Sequence, residues 1–393
     1  MYVNIEFLDT EPIENVITAL HHKIEKTIFI GYEDVRKEYG AQTESFLKNC
    51  CGVRDVKFKD VSKSSLQDVL KKLREVVKEE VDTGNKVFFD ITGGEGLILV
   101  AFGMLAQEFS LPIHLYDVVS DTLLEMNPQD ADAISTYGND LQKEKVKLDL
   151  ATFIRMQGAV ISAKKVQGEF DTSAYGFKQK IEALWDVLCD YKDKWNFYAE
   201  VLGNNFKTDD LYADEVIDSN RVYDLNRFED YLYAIAETKA ISKLRVTDLN
   251  AEDGAERKRI SFYYDSDEMK RCLIKGGNTL ELHTYYKMEK ESFDCRQSVM
   301  IDWDGVEHRA LGVDVLNEID VLSIEGNVPT FISCKGGRMD DGQALEPMYE
   351  LLTVANRFGG KYAKKVLAII HPLKQVYLDR AQEMGIEVRC YGK

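Results

Sequence analysis

The stretch Gly312–Arg338, GVDVLNEIDVLSIEGNVPTFISCKGGR, decides the reading of the C-terminal half. Two apolar runs, Val315–Ile324 and Pro329–Cys334, read as strands joined by the turn Glu325-Gly326-Asn327. Glu318 and Asp320 are two apart, so on a strand both point to one face. Lys335 ends the second strand. A hairpin can therefore bring two carboxylates and an ammonium to one edge of a sheet. Carboxylates on a strand that otherwise wants burial are costly unless something binds them. A divalent metal is the usual occupant. A solvated strand face, with Lys335 as ion-pair partner, is the plain alternative.

Outward from this hairpin, the order is helix, three strands, helix, strand. The first helix is Asn278–Lys290 and the first strand Gln297–Trp303. After the hairpin come helix Gln343–Phe358, closed by Gly359-Gly360 as a C-cap, and strand Val366–Ile370. Helix Leu373–Glu383 and strand Glu387–Tyr391 finish the chain. Glu281 stands three residues after Asn278, which suits a capping box as well as a metal ligand. Glu346 and Glu350, one turn apart, read most simply as a polar helix face. Asp302 and Asp304 read as turn residues before Gly305.

The N-terminal 120 residues alternate strand and helix signals. The strands are Val3–Leu8, Thr27–Ile30, Val53–Phe58, Lys86–Asp90 and Ile113–Tyr116; between them lie helices Ile13–Ile24, Asp34–Lys48, Ser64–Val81 and Leu97–Phe109. This rhythm implies a parallel sheet covered on both faces, with ligands at the carboxyl ends of its strands. Two strand ends look built for a ligand. One is Asp9-Thr10-Glu11-Pro12 with Asn15. The other is Asp90-Ile91-Thr92-Gly93-Gly94-Glu95-Gly96, which opens a helix. Glycines let backbone amides approach a polar ligand, and the helix N-terminus favours anions; an ordinary capped turn is the alternative. The dinucleotide fingerprint G-x-G-x-x-G is absent, which weakens a nicotinamide-enzyme reading.

Between these halves, helices are expected at Leu141–Leu150 and Phe177–Leu188, and a break at Met126-Asn127-Pro128. The aromatic stretch Trp185–Tyr198 reads as packed core. Helix Arg227–Lys239 followed by a hairpin, Lys243–Leu249 and Lys258–Asp265 around the tip Asn250–Arg257, reads as a winged-helix segment. Lys243, Arg245, Arg257, Lys258 and Arg259 make it basic: a phosphate contact or a charged solvated wing. The expected division is 1–125, a ligand-sensing domain; 126–224, a helical linker; 225–275, winged-helix-like; and 276–393, the catalytic core.

Composition bounds the rest. The chain has 393 residues, 45% of them hydrophobic, enough for two or three domains. Its net charge of -18 argues against a general nucleic-acid coat protein but not against a nuclease, whose groove alone must be basic. Seven cysteines without C-x-x-C and six histidines without H-E-x-x-H leave no zinc or disulfide framework. The N-terminus carries acids where a signal peptide needs basic residues, and no apolar run suits a membrane span. A cytoplasmic location, with no membrane partner, is expected.

The order α-β-β-β-α-β, with Glu281 on its first helix, Asp320 on the middle strand and Lys335 on the next, resembles the PD-(D/E)xK nuclease core, a restriction-endonuclease-like α/β domain. The segments GNTLELHTYY (277–286), NEIDVL (317–322), FISCK (331–335) and YELLTVANRFGG (349–360) look like one subgroup of it. In that subgroup the core follows an N-terminal Rossmann-like CARF (CRISPR-associated Rossmann-fold) domain, and the DITGG turn at 90–94 is similar to the CARF signature. The resemblance covers roughly residues 1–120 and 225–393.

The resemblance implies an ancillary nuclease of type III CRISPR antiviral defence. It would be a homodimer binding the cyclic oligoadenylate cyclic tetra-adenylate across paired CARF domains. It would cut single-stranded DNA and RNA, or nick plasmid DNA, with Mn2+ or Mg2+. The amides of Thr92, Gly93, Gly94, Glu95 and Gly96 would meet phosphates; Asp9, Thr10, Glu11 and Asn15 would meet adenine and ribose edges. Asp320 with Glu281 or Glu318 would hold the metal, the carbonyl of Cys334 adding an oxygen, and Lys335 would position water or phosphate. One departure stands out: the family's acid two residues before the lysine is Ser333 here. Glu318 is the candidate replacement. The rival reading is a cyclic-oligoadenylate-sensing DNA-binding regulator whose nuclease core is inert.

Overall fold

The computed structural model describes residues 1–136, 146–162, 170–206, 208, 210–249, 255–303, 316–339 and 342–392. Outside these lie Gly312–Val315 of the opening stretch, residues 141–145 of the expected helix, the hairpin tip 250–254, and Asp304. The chain forms two compact units. The first is Met1–Val160 with Ile324–Val328 and Asn356–Ala363; the second is Ile161–Ser323, Pro329–Ala355 and Lys364–Lys393.

In the first unit seven strands form one sheet: β1 (Tyr2–Phe7), β2 (Lys26–Gly31), β3 (Asp55–Asp60), β4 (Lys86–Asp90), β5 (Ile113–Asp117), β6 (Thr122–Asn127) and β7 (Asp130–Thr136). Their order is β3-β2-β1-β4-β5-β6-β7. The first five run parallel, and β6 and β7 add antiparallel at the edge. The chain winds outward from β1 in one direction and restarts at β4 in the other. The switch point therefore lies between β1 and β4, where the two expected ligand turns emerge.

Alternation along β1 explains its central place. Val3, Ile5 and Phe7 pack with Leu73, Val77, Phe89 and Phe102 into one core. Helices Leu66–Asp82 and Gly96–Phe109 supply that cover, the former capped by Ser65 accepting from the Asp68 amide. Two helices differ from expectation. The first is only Ile17–His21, because the preceding residues form a turn in which Asn15 bonds the Asp9 backbone. The second runs from Glu33 to Cys51 through two wide π-helical turns, Arg36–Gly40 and Leu47–Cys51.

The remaining strands are β8 (Val160–Ile161), β9 (Tyr212–Asp218), β10 (Ile241–Leu249), β11 (Arg257–Tyr264), β12 (Asp294–Asp302), β13 (Leu316–Glu325), β14 (Val328–Lys335), β15 (Lys364–Ile369) and β16 (Ile386–Cys390). They build a three-stranded sheet, β10-β11-β9, and a six-stranded sheet, β16-β15-β14-β13-β12-β8. The expected helix–strand order is present: helix Gly276–Glu289, β12 to β14, helix Leu345–Gly359, β15, helix Gln375–Glu383, β16. The helix Leu225–Glu237 and its hairpin also form, but β9 joins the hairpin as a third strand, so that segment starts before residue 225. The stretch 126–224 is thus not wholly helical: it holds β7, β8 and β9 besides helices Phe177–Asp190 and Trp195–Asn205. Trp185, Trp195 and Tyr198 are buried in the second unit's core, as expected of packed aromatics. Among the described residues no helix is long and apolar enough to cross a membrane.

Candidate active site and ligand turns

The hairpin β13–β14 positions the catalytic candidates by strict alternation. Ile319 and Val321 point into the core, while Glu318 and Asp320 share the other face. On β14, Ile332 and Cys334 are buried, and Ser333 and Lys335 alternate with them. Glu318, Asp320, Ser333 and Lys335 line one cavity of about 170 Å3 with Glu350, Leu351 and Val354 of helix Leu345–Gly359. Glu350, set aside from sequence as part of a polar helix face, thus joins the site. Its i, i+4 pairing with Glu346 was the available signal.

Asp320 is held in place. Its Oδ2 accepts from the Cys334 amide at 2.6 Å and from Ser333 Oγ at 3.4 Å. Ser333 therefore acts on Asp320 as a donor. Burial lifts the Asp320 carboxyl above its usual range, against the pull of the Cys334 amide and Lys335. Glu281, on helix Gly276–Glu289, is lifted to about 7, first by burial and then by the charge on Asp320; Glu318 adds to this, while Lys275 and Lys335 oppose it. Glu281 thus feels the hairpin's acids and its lysine. The capping alternative does not hold: the helix starts at Gly276, and Asn278 sits inside it with Nδ2 donating to the Arg271 carbonyl at 3.1 Å. The helix start is seated by Trp195 Nε1, which donates to the Gly276 carbonyl at 3.1 Å.

Among the described residues, no three His, Cys, Asp or Glu side chains cluster closely enough to hold a metal ion. The donor chemistry still suits a small hard cation. The charges on Asp320 and Glu318 raise the Glu281 carboxyl, a repulsion that a cation relieves, and Mg2+ commonly takes only one or two carboxylates with water and phosphate. The Cys334 thiol is buried, and its backbone is paired with Ala368 in the ladder. Asp302 ends β12, buried, and does not line the cavity.

In the first unit, the two ligand turns meet. Asp9 Oδ2 accepts from the Gly94 amide at 3.1 Å and Oδ1 from the Glu11 amide at 3.0 Å. Asn15 closes the turn by accepting from the Asp9 amide at 2.7 Å and donating to the Asp9 carbonyl at 2.8 Å. Gly94 takes φ +136, a conformation only glycine adopts readily. Thr92 is fixed by Asp90: its amide and Oγ1 both donate to Asp90 Oδ1. Glu95 accepts from the Tyr32 hydroxyl at 2.8 Å and precedes Gly96, where the first helical turn offers amides without intrahelical partners.

Thr10 and Glu11 face a separate cavity of about 440 Å3, lined also by Tyr39, Gln42, Gln157 and Arg357. Glu11 accepts from the Lys361 amide at 2.8 Å, so part of its capacity is spent within the protein. Nothing local in the sequence announces Gln157, Arg357 or Lys361 at this place, since they come from distant parts of the chain.

No family model matches the chain, and no curated relative matches it. Among solved structures it is similar to protein VC1899 from Vibrio cholerae, with a TM-score of 0.68 at 19% identity over 99% of this chain and 94% of that one. It is also similar to Can2 from Sulfobacillus thermosulfidooxidans, solved in complex with cyclic tetra-adenylate, with a TM-score of 0.64 at 15% identity over 99% of this chain and 95% of that one. At such identity the likeness establishes the fold: an α/β chain with a Rossmann-like N-terminal domain followed by a second α/β domain.

Proposed function

We propose that the chain is a cyclic-tetra-adenylate-activated, metal-dependent nuclease of type III CRISPR defence, acting in the cytoplasm as a homodimer. The observation that carries this reading is the convergence of Asp320, Glu318, Ser333, Lys335 and Glu350 on one cavity. It occurs in a chain whose fold follows, over 99% of its length, that of a protein solved with cyclic tetra-adenylate. Asp320 and Glu281 would hold Mn2+ or Mg2+, with Glu318 contributing. Bound there, the metal would acidify a water and offset charge on the scissile phosphate. The chain's own residues supply the rest. The Cys334 amide and Ser333 fix Asp320. Lys335 places a positive charge at the cavity for a phosphate. Glu281, lifted to about 7 by burial and the charge on Asp320 without metal, would give up its proton on binding the cation.

For sensing, the amides of Gly93, Glu95 and Gly96 suit ring phosphates, those of Thr92 and Gly94 being spent on Asp90 and Asp9. Thr10 and Glu11 suit base and ribose edges, whereas buried Asn15, expected to meet the ligand, is spent on the Asp9 backbone. Asp9 shapes both turns. A two-fold symmetric ring matches an isologous dimer interface.

The test is cleavage of labelled single-stranded DNA, RNA and plasmid with manganese, with and without cyclic tetra-adenylate. Wild type should cut only with both. Asp320→Asn and Lys335→Ala should each lose about 100-fold or more, since each removes several kcal/mol of charge stabilisation, with little change in melting temperature. A chain that binds one ring per dimer and manganese, yet cuts nothing, would favour the regulator reading. Ser333 at the acid position and the absence of a three-acid cluster among the described residues favour that second reading.

A further inference from the structure

We propose that the outer face of the three-stranded sheet β10-β11-β9 is a stacking platform for single-stranded nucleic acid, away from the cavity of Asp320 in sequence and built from its own residues. Register defines the face. Ile260, Phe262 and Tyr264 of β11 point inward and are buried. The residues between them point out: Tyr263, Ser261, Arg259 and Arg257. Tyr263 is paired with Tyr212 on one side and Ser242 on the other; Ser261 is paired with Asp214 and Arg245.

Three observations converge here. First, Tyr212 and Tyr263 are 42% and 39% exposed, and their rings lie 4.8 Å apart. Neighbouring exposed rings are an expensive use of a solvent face unless something stacks on them. Second, β10 is bulged between Ser242 and Arg245, and Lys243 sits there with φ +53. A bulge re-aims a side chain, and a non-glycine residue in the left-handed region persists only where its surroundings fix it. Here it sets Lys243 Nζ 4.8 Å from the centre of the Tyr263 ring. Third, the charge is complementary to phosphate. Among the described residues neither Lys243 nor Arg245 enters an ion pair, while Arg259 is bridged to Asp214. Lys258, on the inner side, is paired with Glu229 and Asp248. The face keeps free cations in a chain of net charge -18.

Aromatic rings flanked by cations suit unpaired bases and their phosphates, and stacking is indifferent to the sugar. The platform should therefore take single-stranded DNA and RNA alike and reject duplex, whose bases are unavailable. The identity of the occupant rests on the nuclease reading; the geometry of the face does not.

The experiment is fluorescence anisotropy of the full chain with a labelled 15-nucleotide DNA, the RNA of the same sequence and the duplex, in EDTA, at several salt concentrations. Tyr212→Ala with Tyr263→Ala should weaken single-strand binding by about tenfold or more. Tyr212→Phe with Tyr263→Phe should stay within about twofold. Lys243→Gly, which keeps the backbone, and Arg245→Ala should each lower the salt slope by roughly 0.7. Should the alanine pair fail to fold, Lys243→Glu leaves both rings in place and should weaken binding by about tenfold at low salt. Alanine variants that bind like wild type, duplex that binds as tightly as single strand, or a loss of self-association instead of strand binding would each overturn the platform. Cleavage is not needed for this readout. A chain that binds through these residues yet never cuts counts against the nuclease alone; one that cuts while the variants bind unchanged counts against the platform alone.

Discussion

Glu6 shows how much a single residue can carry. It lies on β1 beside Asn4, on the face opposite Val3, Ile5 and Phe7, and both are buried. Its Oε1 has no hydrogen-bond partner, nor has Oδ2 of Asp90, its register neighbour on β4. Burial, and then the charge on Asp90, push the Glu6 carboxyl well above the usual range. The folded state therefore holds this proton more tightly than the unfolded one. The stabilisation is present at low pH and is lost as pH rises through the raised folded value. Glu6→Gln, which keeps the shape without the charge, should stabilise the protein at pH 8 by about 1 kcal/mol or more, the scale of an unsatisfied buried polar group. At pH 4.5 the difference should vanish; an equal gain at both, read by urea unfolding, would sink the argument. Because Asp90 fixes Thr92, this layer lies directly under the Thr92–Gly96 turn. At the same scale, the meeting of Asp320 and Lys335 at one cavity was legible because strand alternation is a local rule. The role of Ser333 was not, since a hydrogen bond to the neighbouring strand has no signature in spacing. Glu281 stayed ambiguous between cap and ligand because the glycine pair before it hid where the helix begins.

Elements were legible in proportion to their apolar periodicity. The buried strands β1, β4, β14 and β15 and the helices flanking them emerge from pattern alone. β9 did not, because Tyr-Ala-Asp-Glu-Val-Ile-Asp buries only Ala213 and Ile217 and presents five polar or exposed positions. The helix Gly276–Glu289 illustrates why helix starts are hard to place. Its residues alternate apolar and polar with little sidedness, and tertiary contacts set its first turn. A Cβ on Gly276 would collide with Asn196 Oδ1 and with the Trp195 ring, whose Nε1 also bonds the Gly276 carbonyl. A Cβ on Gly277 would meet only ordinary contact, 3.6 Å from Glu281 Oε1. The two substitutions should therefore differ in sign. Gly276→Ala should cost about 1–3 kcal/mol through overpacking, whereas Gly277→Ala should be neutral or stabilising by up to about 1 kcal/mol through helix propensity. Equal effects of the two in urea unfolding would show that the packing at Trp195 does not govern this helix start.

At the scale of the whole molecule, a linear division at residues 125, 225 and 276 could not reveal that the first unit is assembled from three pieces of chain. Ile324–Val328 and Asn356–Ala363 belong to it, and neither has an exceptional composition. Besides the buried Ile324, Val328 and Phe358, polar contacts tie them there. Asn327 Nδ2 donates to Asp121 at 2.8 Å, and its Oδ1 lies 3.1 Å from His21 Nε2. Arg357 donates to the Gln157 carbonyl at 2.9 Å. Glu14, only 2% exposed, receives Lys361 Nζ and the Tyr362 hydroxyl, each at 2.5 Å. Burial raises the Glu14 carboxyl's pKa while Lys361 and Tyr362 pull it down, so these two partners are what keep a charge tolerable in that place. Lys361→Ala combined with Tyr362→Phe should leave Glu14 stranded and cost roughly 2–4 kcal/mol. Adding Glu14→Gln should recover much of that loss, because the stranded charge goes with it. The same reasoning applies to a truncated chain: residues 1–160 alone retain Glu14 but lose both partners, so the fragment should unfold at lower urea than the first unit does in the full chain. Urea melts of the four proteins check this. A double variant as stable as wild type, or a triple variant no better than the double, would show that the returning segments are held by something other than this buried carboxylate.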